Sequence, residues 1–157
     1  MKTIVLGVGN PILCDDGVGI HVVREIKQQV NDPNIDVDEA ITGGMNLLDL
    51  LIGYDKAILI DAINTTDAST GEVRRFPLNN LSTIHSNNPH DVSLMEALEL
   101  AKKLGEKRIP KEIIIIGIVL KEIPYVFGET LSPEIANAVP KAVQMTIHEI
   151  KKSRINN

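Results

Sequence analysis

One cysteine, Cys14, occurs in 157 residues, so no intramolecular disulfide can form and the chain fits a reducing compartment. No apolar run approaches the roughly 20 residues that a membrane-spanning helix needs. The N-terminus carries one early lysine and then a strand-like run too short for a secretory signal. Lysine and arginine never cluster as nucleic acid or an anionic membrane would require, and the net charge is −5 with a pI near 5.3. Aromatic residues number only four, two of them, Tyr125 and Phe127, in one loop. Three signatures are also missing: the His-Glu-x-x-His helix of zinc proteases, the Gly-x-Ser-x-Gly elbow, and the Lys-Ser/Thr end of a P-loop. What remains is an ordinary globular balance, 43% hydrophobic and 24% charged. The length fits one domain, residues 1–157, burying about 70% of its unfolded surface. A soluble, cytoplasmic and monomeric protein is the expectation.

The apolar pattern alternates between strands and helices. "TIVLGV" (3–8), "KAILIDAI" (56–63) and "EIIIIGIVL" (112–120) are continuous apolar runs of strand length. Runs rich in Ile and Val suit strands covered on both faces. "IDVDEAI" (35–41) reads as a further strand, and "GEVRRFPL" (71–78) as an edge strand closed by Pro77. Val18, His21, Val22, Glu25, Ile26 and Gln29 follow helical spacing. "GMNLLDLLIG" (44–53) is a short helix between glycines. "DVSLMEALELAKKLG" (91–105) carries a candidate capping box, Ser93 with Glu96, and a terminal glycine. The stretch 132–153 opens with Ser132 as N-cap and Pro133 at the first helical position, and Pro140, which deletes one internal donor, is expected to kink it. This order predicts an α/β fold: a doubly wound sandwich with a mostly parallel five-stranded sheet and helices on both faces. Ligands of such folds sit along the C-terminal edge of the strands.

The polar residues that stand out fall at that edge. "GVGNPILCDDGVG" (7–19) follows the first strand and packs four glycines, an Asn-Pro step and the pair Asp15-Asp16 into thirteen residues. Adjacent aspartates repel a phosphate, so the loop reads as no nucleotide cradle. Gly43 and Gly44 follow the second strand, Asp61 ends the third, and His90 precedes a helix near Asp91. Asp16, Asp61 and His90 together suit a borderline divalent metal with open positions. Singly, each has a plainer reading. Asp16 fits a helix N-cap, and His90 a loop histidine. Asp61 resists dismissal, because a charge between Ile60 and Ala62 is costly unless paired or ligated. His85 competes with His90, whereas His21 and His148 sit on helices. Cys14 reads as a small apolar filler rather than a nucleophile. Because ligation needs deprotonated groups and histidine titrates near pH 6.5, metal affinity is expected to fall below about pH 6.

Taken together, "GVGNPILCDDGVG", "TGGMNLLDLL", "LIDAI" and "HDVSL" resemble the hydrogenase maturation endopeptidases, from Met1 to about Ile150. The resemblance implies a peptidase that trims the C-terminal extension from a nickel-iron hydrogenase large-subunit precursor. It places the family's metal-contacting positions on Asp16, Asp61 and His90. The metal implied is nickel carried by the substrate, which these residues recognise while the scissile bond is aligned. Where members often carry Asp-Gly-Gly, this chain reads "EAITGGM". Two other readings stay open: a non-catalytic metallochaperone or assembly factor on the same residues, and a phospho-receiver domain using Asp15, Asp16, Asp61 and Lys121 with magnesium. The loop 121–133, with Tyr125, is expected to shape the groove that receives the substrate tail.

Overall fold

The computed structural model describes residues 1–41, 44–78, 89–122 and 126–155, with side chains at all of these except 44, 45 and 89–93. Among the described residues, five strands form one sheet: β1 (Thr3–Val8), β2 (Ile35–Ala40), β3 (Lys56–Ile63), β4 (Val73–Pro77) and β5 (Glu112–Val119). Their order across the sheet is β2-β1-β3-β5-β4. All pairings are parallel except β4 with β5, which is antiparallel. The continuous apolar runs are the inner strands, and β1 and β3 are buried at every position. β2 and β4, which tolerate exposure, are the edges. Pro77 ends β4, where its missing donor interrupts nothing.

Four helices cover the sheet: α1 (Val18–Gln29), α2 (Gly44–Leu51), α3 (Pro89–Lys103) and α4 (Pro133–Ile155). Alternate strand residues feed two cores. Leu6, Leu59 and Ile115 meet Leu47, Leu48, Leu94 and Leu98 of α2 and α3. Val5, Ile58, Ile60 and Ile116 meet Val22, Ile26, Ile135 and Val139 of α1 and α4. The expected doubly wound α/β sandwich is therefore present, with helices on both faces. Because β1 leads outward to β2 and the chain then returns to β3 on the other side of β1, the winding reverses between β1 and β3. That reversal opens a crevice at the C-terminal ends of these two strands.

Local details correct several expectations. The α1 stripe turns Val18, Val22, Val23 and Ile26 inward, whereas Glu25 and Gln29 are exposed despite their spacing. α3 begins at Pro89, so Ser93 lies inside it rather than at its start, and His90 is its second residue rather than the residue before it. Proline at the first helical position needs no donor there, which explains the earlier start. The far end of α3 behaves as expected. Gly105 takes a φ of 81°, Gly105 N–H donates to Lys102 O at 3.1 Å, and Glu106 N–H to Ala101 O at 3.0 Å, a Schellman closure. α4 runs without interruption through Pro140. No helix among the described residues is long and apolar enough to cross a membrane.

Candidate active site

The glycine-rich loop climbs out of β1 and returns as a single 3-10 turn, Cys14–Gly17, that leads directly into α1. Its glycines are there because backbone passes against backbone. A Cβ on Gly19 would stand 2.2 Å from the Ile60 carbonyl oxygen and 2.6 Å from that of Val8. α1 therefore presses onto the ends of β1 and β3, and the 3-10 turn lies against β3. At Gly9, with a φ of 145°, a Cβ would meet the Asp16 carbonyl oxygen at 2.2 Å. The loop is folded back onto the strand end it came from.

This packing decides what each acid does. Gly17, not Asp16, is the residue before α1, and no side chain caps that helix. The capping role considered for Asp16 is thus excluded. Asp16 is half-buried, and its Oδ2 accepts the Asn10 N–H at 3.1 Å. Asp15 is buried, and its Oδ1 accepts the Ser132 N–H at 2.7 Å. Asp61 is the sixth residue of β3, one turn of the pleat short of the strand's end. It is 3% exposed and shares the α2/α3 face with Leu59 and Ile63. Beside it on β5 stands Gly117. α3 covers the same face, and His90 belongs to its first turn, although the His90 side chain lies outside the described residues. Gly43, His85 and Tyr125 also lie outside them.

Asp16, in the turn that follows β1, and Asp61, near the end of the adjacent strand β3, thus both lie at the C-terminal edge of the sheet. Among the described residues, no three His, Cys, Asp or Glu side chains gather closely enough to share an ion. Two carboxylates at the winding reversal of a doubly wound sheet are oxygen donors placed where such folds bind ligands. A model of the hydrogenase maturation protease family matches residues 20–149, most of the chain. The chain belongs to the hydrogenase maturation protease family.

Related proteins span nearly its full length. The hydrogenase 2 maturation protease of Escherichia coli is 25% identical over 158 residues, covering 99% of this chain and 94% of its own. The [NiFe] hydrogenase maturation protease HybD of Thermococcus kodakarensis superposes with a TM-score of 0.71 at 29% identity, covering 94% of this chain and 98% of that one. The hydrogenase maturating endopeptidase HybD of E. coli shares the fold with a TM-score of 0.79 at 24% identity, over 98% and 94% of the two chains. This hydrogenase maturation protease is accordingly a peptidase.

Family membership overturns the phospho-receiver reading, and the geometry supplies the reason. Asp15 is committed to Ser132, and the Lys121 ammonium donates to the Thr65 carbonyl at 2.5 Å. The loop has further neighbours that its sequence does not announce. Cys14 has a φ of 48°, its thiol donates to the Val126 carbonyl at 3.4 Å, and its N–H to the Gly128 carbonyl at 2.8 Å. Only Gly128, small and placed between Phe127 and Glu129, hinted that another chain segment passes closely there. Val126 and Phe127 beside it are exposed, at 64% and 82%.

Proposed function

We propose that this protease removes the C-terminal extension of a nickel-iron hydrogenase large-subunit precursor in the cytoplasm, after nickel insertion, working as a monomer. Asp16, Asp61 and His90 contact the substrate's nickel in this reading. What supports it is that Asp16, in the turn after β1, and Asp61, near the end of the adjacent β3, both lie at the C-terminal edge of the sheet, with α3, which opens with Pro89-His90, over the same face as Asp61. Carboxylate and imidazole suit a borderline first-row ion. The nickel is cargo of the substrate, and it supplies Lewis acidity at the peptide carbonyl when seated there. The chain's own residues orient it. Asp61 is set by a fully buried strand and Asp16 by a loop pinned at both ends, so a docked precursor meets a preformed edge. The exposed Val126-Phe127 pair stands beside that loop and offers apolar contact to the tail.

An isolated tail peptide brings neither ion nor extended surface, and so cannot offset the entropy lost on association. The protein is therefore expected to cleave nickel-loaded precursor and to ignore both nickel-free precursor and free tail peptide. Mass analysis of the three mixtures tests this. Equal cleavage of loaded and unloaded precursor would defeat nickel recognition. Cleavage of neither by well-folded protein would point to an assembly factor instead.

A further inference from the structure

The two adjacent acids of the glycine-rich loop stand in different surroundings. Residues one apart in a 3-10 turn point about 120° from each other, so one can face inward while the other faces out. Asp15 is 8% exposed, and its Oδ1 receives the Ser132 N–H from across the fold, 117 residues along the chain. A carboxylate that deep is costly unless bonded, and a 2.7 Å bond from a backbone donor is of the charge-assisted kind. Ser132 immediately precedes α4, which is seated on the sheet through Ile135, Ala138 and Val139. The donor is therefore part of a rigid element.

That bond ends a row of contacts. Leu13 and Gly128 form an isolated parallel bridge, in which Gly128 N–H donates to Ile12 O and Cys14 N–H to Gly128 O, both at 2.8 Å. The Cys14 thiol reaches the Val126 carbonyl. Cys14 is the sole non-glycine residue with positive φ among those described, a strain that persists only where the surroundings impose it. A Cβ at Gly128 would stand 3.1 Å from the Cys14 sulfur, so the two segments touch as closely as side chains allow. Residues 126–132 are thus fastened along 12–15. Asp16 comes next in the chain, one rigid peptide plane beyond Asp15. Its own N–H donates to Leu13 O at 3.2 Å, inside the fastened stretch.

We infer that Asp15 is a positioning residue: its buried carboxylate clasps Ser132 and, through the pairing of 12–14 with 126–128, holds Asp16 in place above β3. This rests on the reading of Asp16 as part of the peptidase site. A displacement of about 1 Å in a reacting group can cost about 100-fold in rate, so loss of the clasp matters even where the fold survives.

The test pairs amide hydrogen exchange with precursor processing in Asp15→Ala and Asp15→Asn. Asparagine keeps an oxygen for the Ser132 N–H and loses the charge. In Asp15→Ala the amides of Cys14 and Gly128 should exchange at least about 10-fold faster, while those of Leu6 and Ile58 in the sheet stay protected. Processing of nickel-loaded precursor at saturation should fall by about 10-fold or more. Asp15→Asn should restore both readouts to within about threefold of wild type, because the bond and not the charge is retained. Should Asp15→Ala not fold, Asp15→Ser, whose hydroxyl is too short to reach Ser132, carries the same expectation. The inference is overturned if exchange at Cys14 and Gly128 is unchanged, if exchange opens while processing stays at the wild-type rate, or if Asp15→Asn is as defective as Asp15→Ala. Failure of the wild-type protein to cleave any precursor would strike the proposed function, and the exchange readout would still decide whether the clasp exists.

Discussion

At the scale of single residues, Asp61 separates function from stability most cleanly. It occupies a central strand between Ile60 and Ala62, in a position where each neighbour on its own face, Leu59 and Ile63, is apolar and buried. Folding alone would place an apolar residue there, since burying a carboxylate is costly before any partner offsets it. Asp61→Ala should therefore leave the melting temperature within a few degrees of wild type and lower precursor cleavage by at least about 100-fold, a loss of the size seen when a positioned group is removed. Thermal unfolding read beside a cleavage assay decides the matter. A collapse of stability with a proportionate loss of cleavage would make Asp61 a structural residue.

At the scale of elements, the decisive contact is that of α1 with the ends of β1 and β3. Gly19 lets the helix backbone reach the Ile60 and Val8 carbonyls, and a Cβ there would meet fixed backbone rather than a movable side chain. Overpacking of this kind costs about 1–3 kcal/mol and occasionally more. Gly19→Ala should sit at the upper end of that range, because the atoms nearest that Cβ are all backbone and cannot rotate away. The 3-10 turn bearing Asp16 is joined directly to α1 and should move with it, so cleavage should fall beyond what the unfolded fraction explains. Denaturant unfolding and initial rates at a temperature where the variant remains folded would show both effects. Unchanged unfolding in Gly19→Ala would mean that α1 can slide without cost and that the turn is placed by something else.

At the scale of the whole molecule, the sheet has two working ends. The C-terminal edge carries the acids of the proposed site, Asp16 and Asp61. The opposite end carries a buried ion network, in which Lys56 at the start of β3 meets Glu149 of α4 at 3.3 Å, Glu112 at 2.8 Å and Ser153 at 2.8 Å. Arg75 of β4 forks onto the same Glu149 carboxylate. Burial pushes the Glu149 carboxyl up, but Arg75 and Lys56 outweigh it and hold the group below its ordinary value of 4.5. With the folded value depressed, this carboxylate contributes stability above about pH 4.5, and the contribution is lost as pH falls through the folded value. Wild-type protein should accordingly lose melting temperature as pH is lowered from 5 to about 3, a slope set by this linkage. Glu149→Gln should flatten that slope and cost about 1–3 kcal/mol at neutral pH, because Lys56 and Arg75 lose a buried counter-charge while Lys56 keeps Glu112. Parallel melting curves of the two proteins across pH test the sign. An unchanged slope in Glu149→Gln would move the acid sensitivity to other carboxylates.

Hydrophobic patterning by itself determined the strands, the helices and the sandwich they form. A run such as "KAILIDAI" can be stable only when covered on both faces, and β1 and β3 occupy the residues that their patterns mark. It also placed Asp16 and Asp61 at one edge of the sheet, since the C-terminal ends of parallel strands share one side. The start of α3 was less legible. Pro89 extends α3 past its apolar pattern, because a first turn needs no internal donor and leaves little periodic trace. The division of labour between Asp15 and Asp16 was not legible at all. The two residues are identical and adjacent, and nothing local distinguishes them. Only the folded chain does, by bringing the Ser132 N–H from 117 residues away to one carboxylate and leaving the other half-buried with the Asn10 N–H of its own loop. The same holds for Glu149, which reads as one more acid on an amphipathic helix until Lys56 and Arg75 arrive from two strands. Periodicity is a local property of the chain, whereas the capture of a charge by a distant donor exists only after the strands and helices have packed.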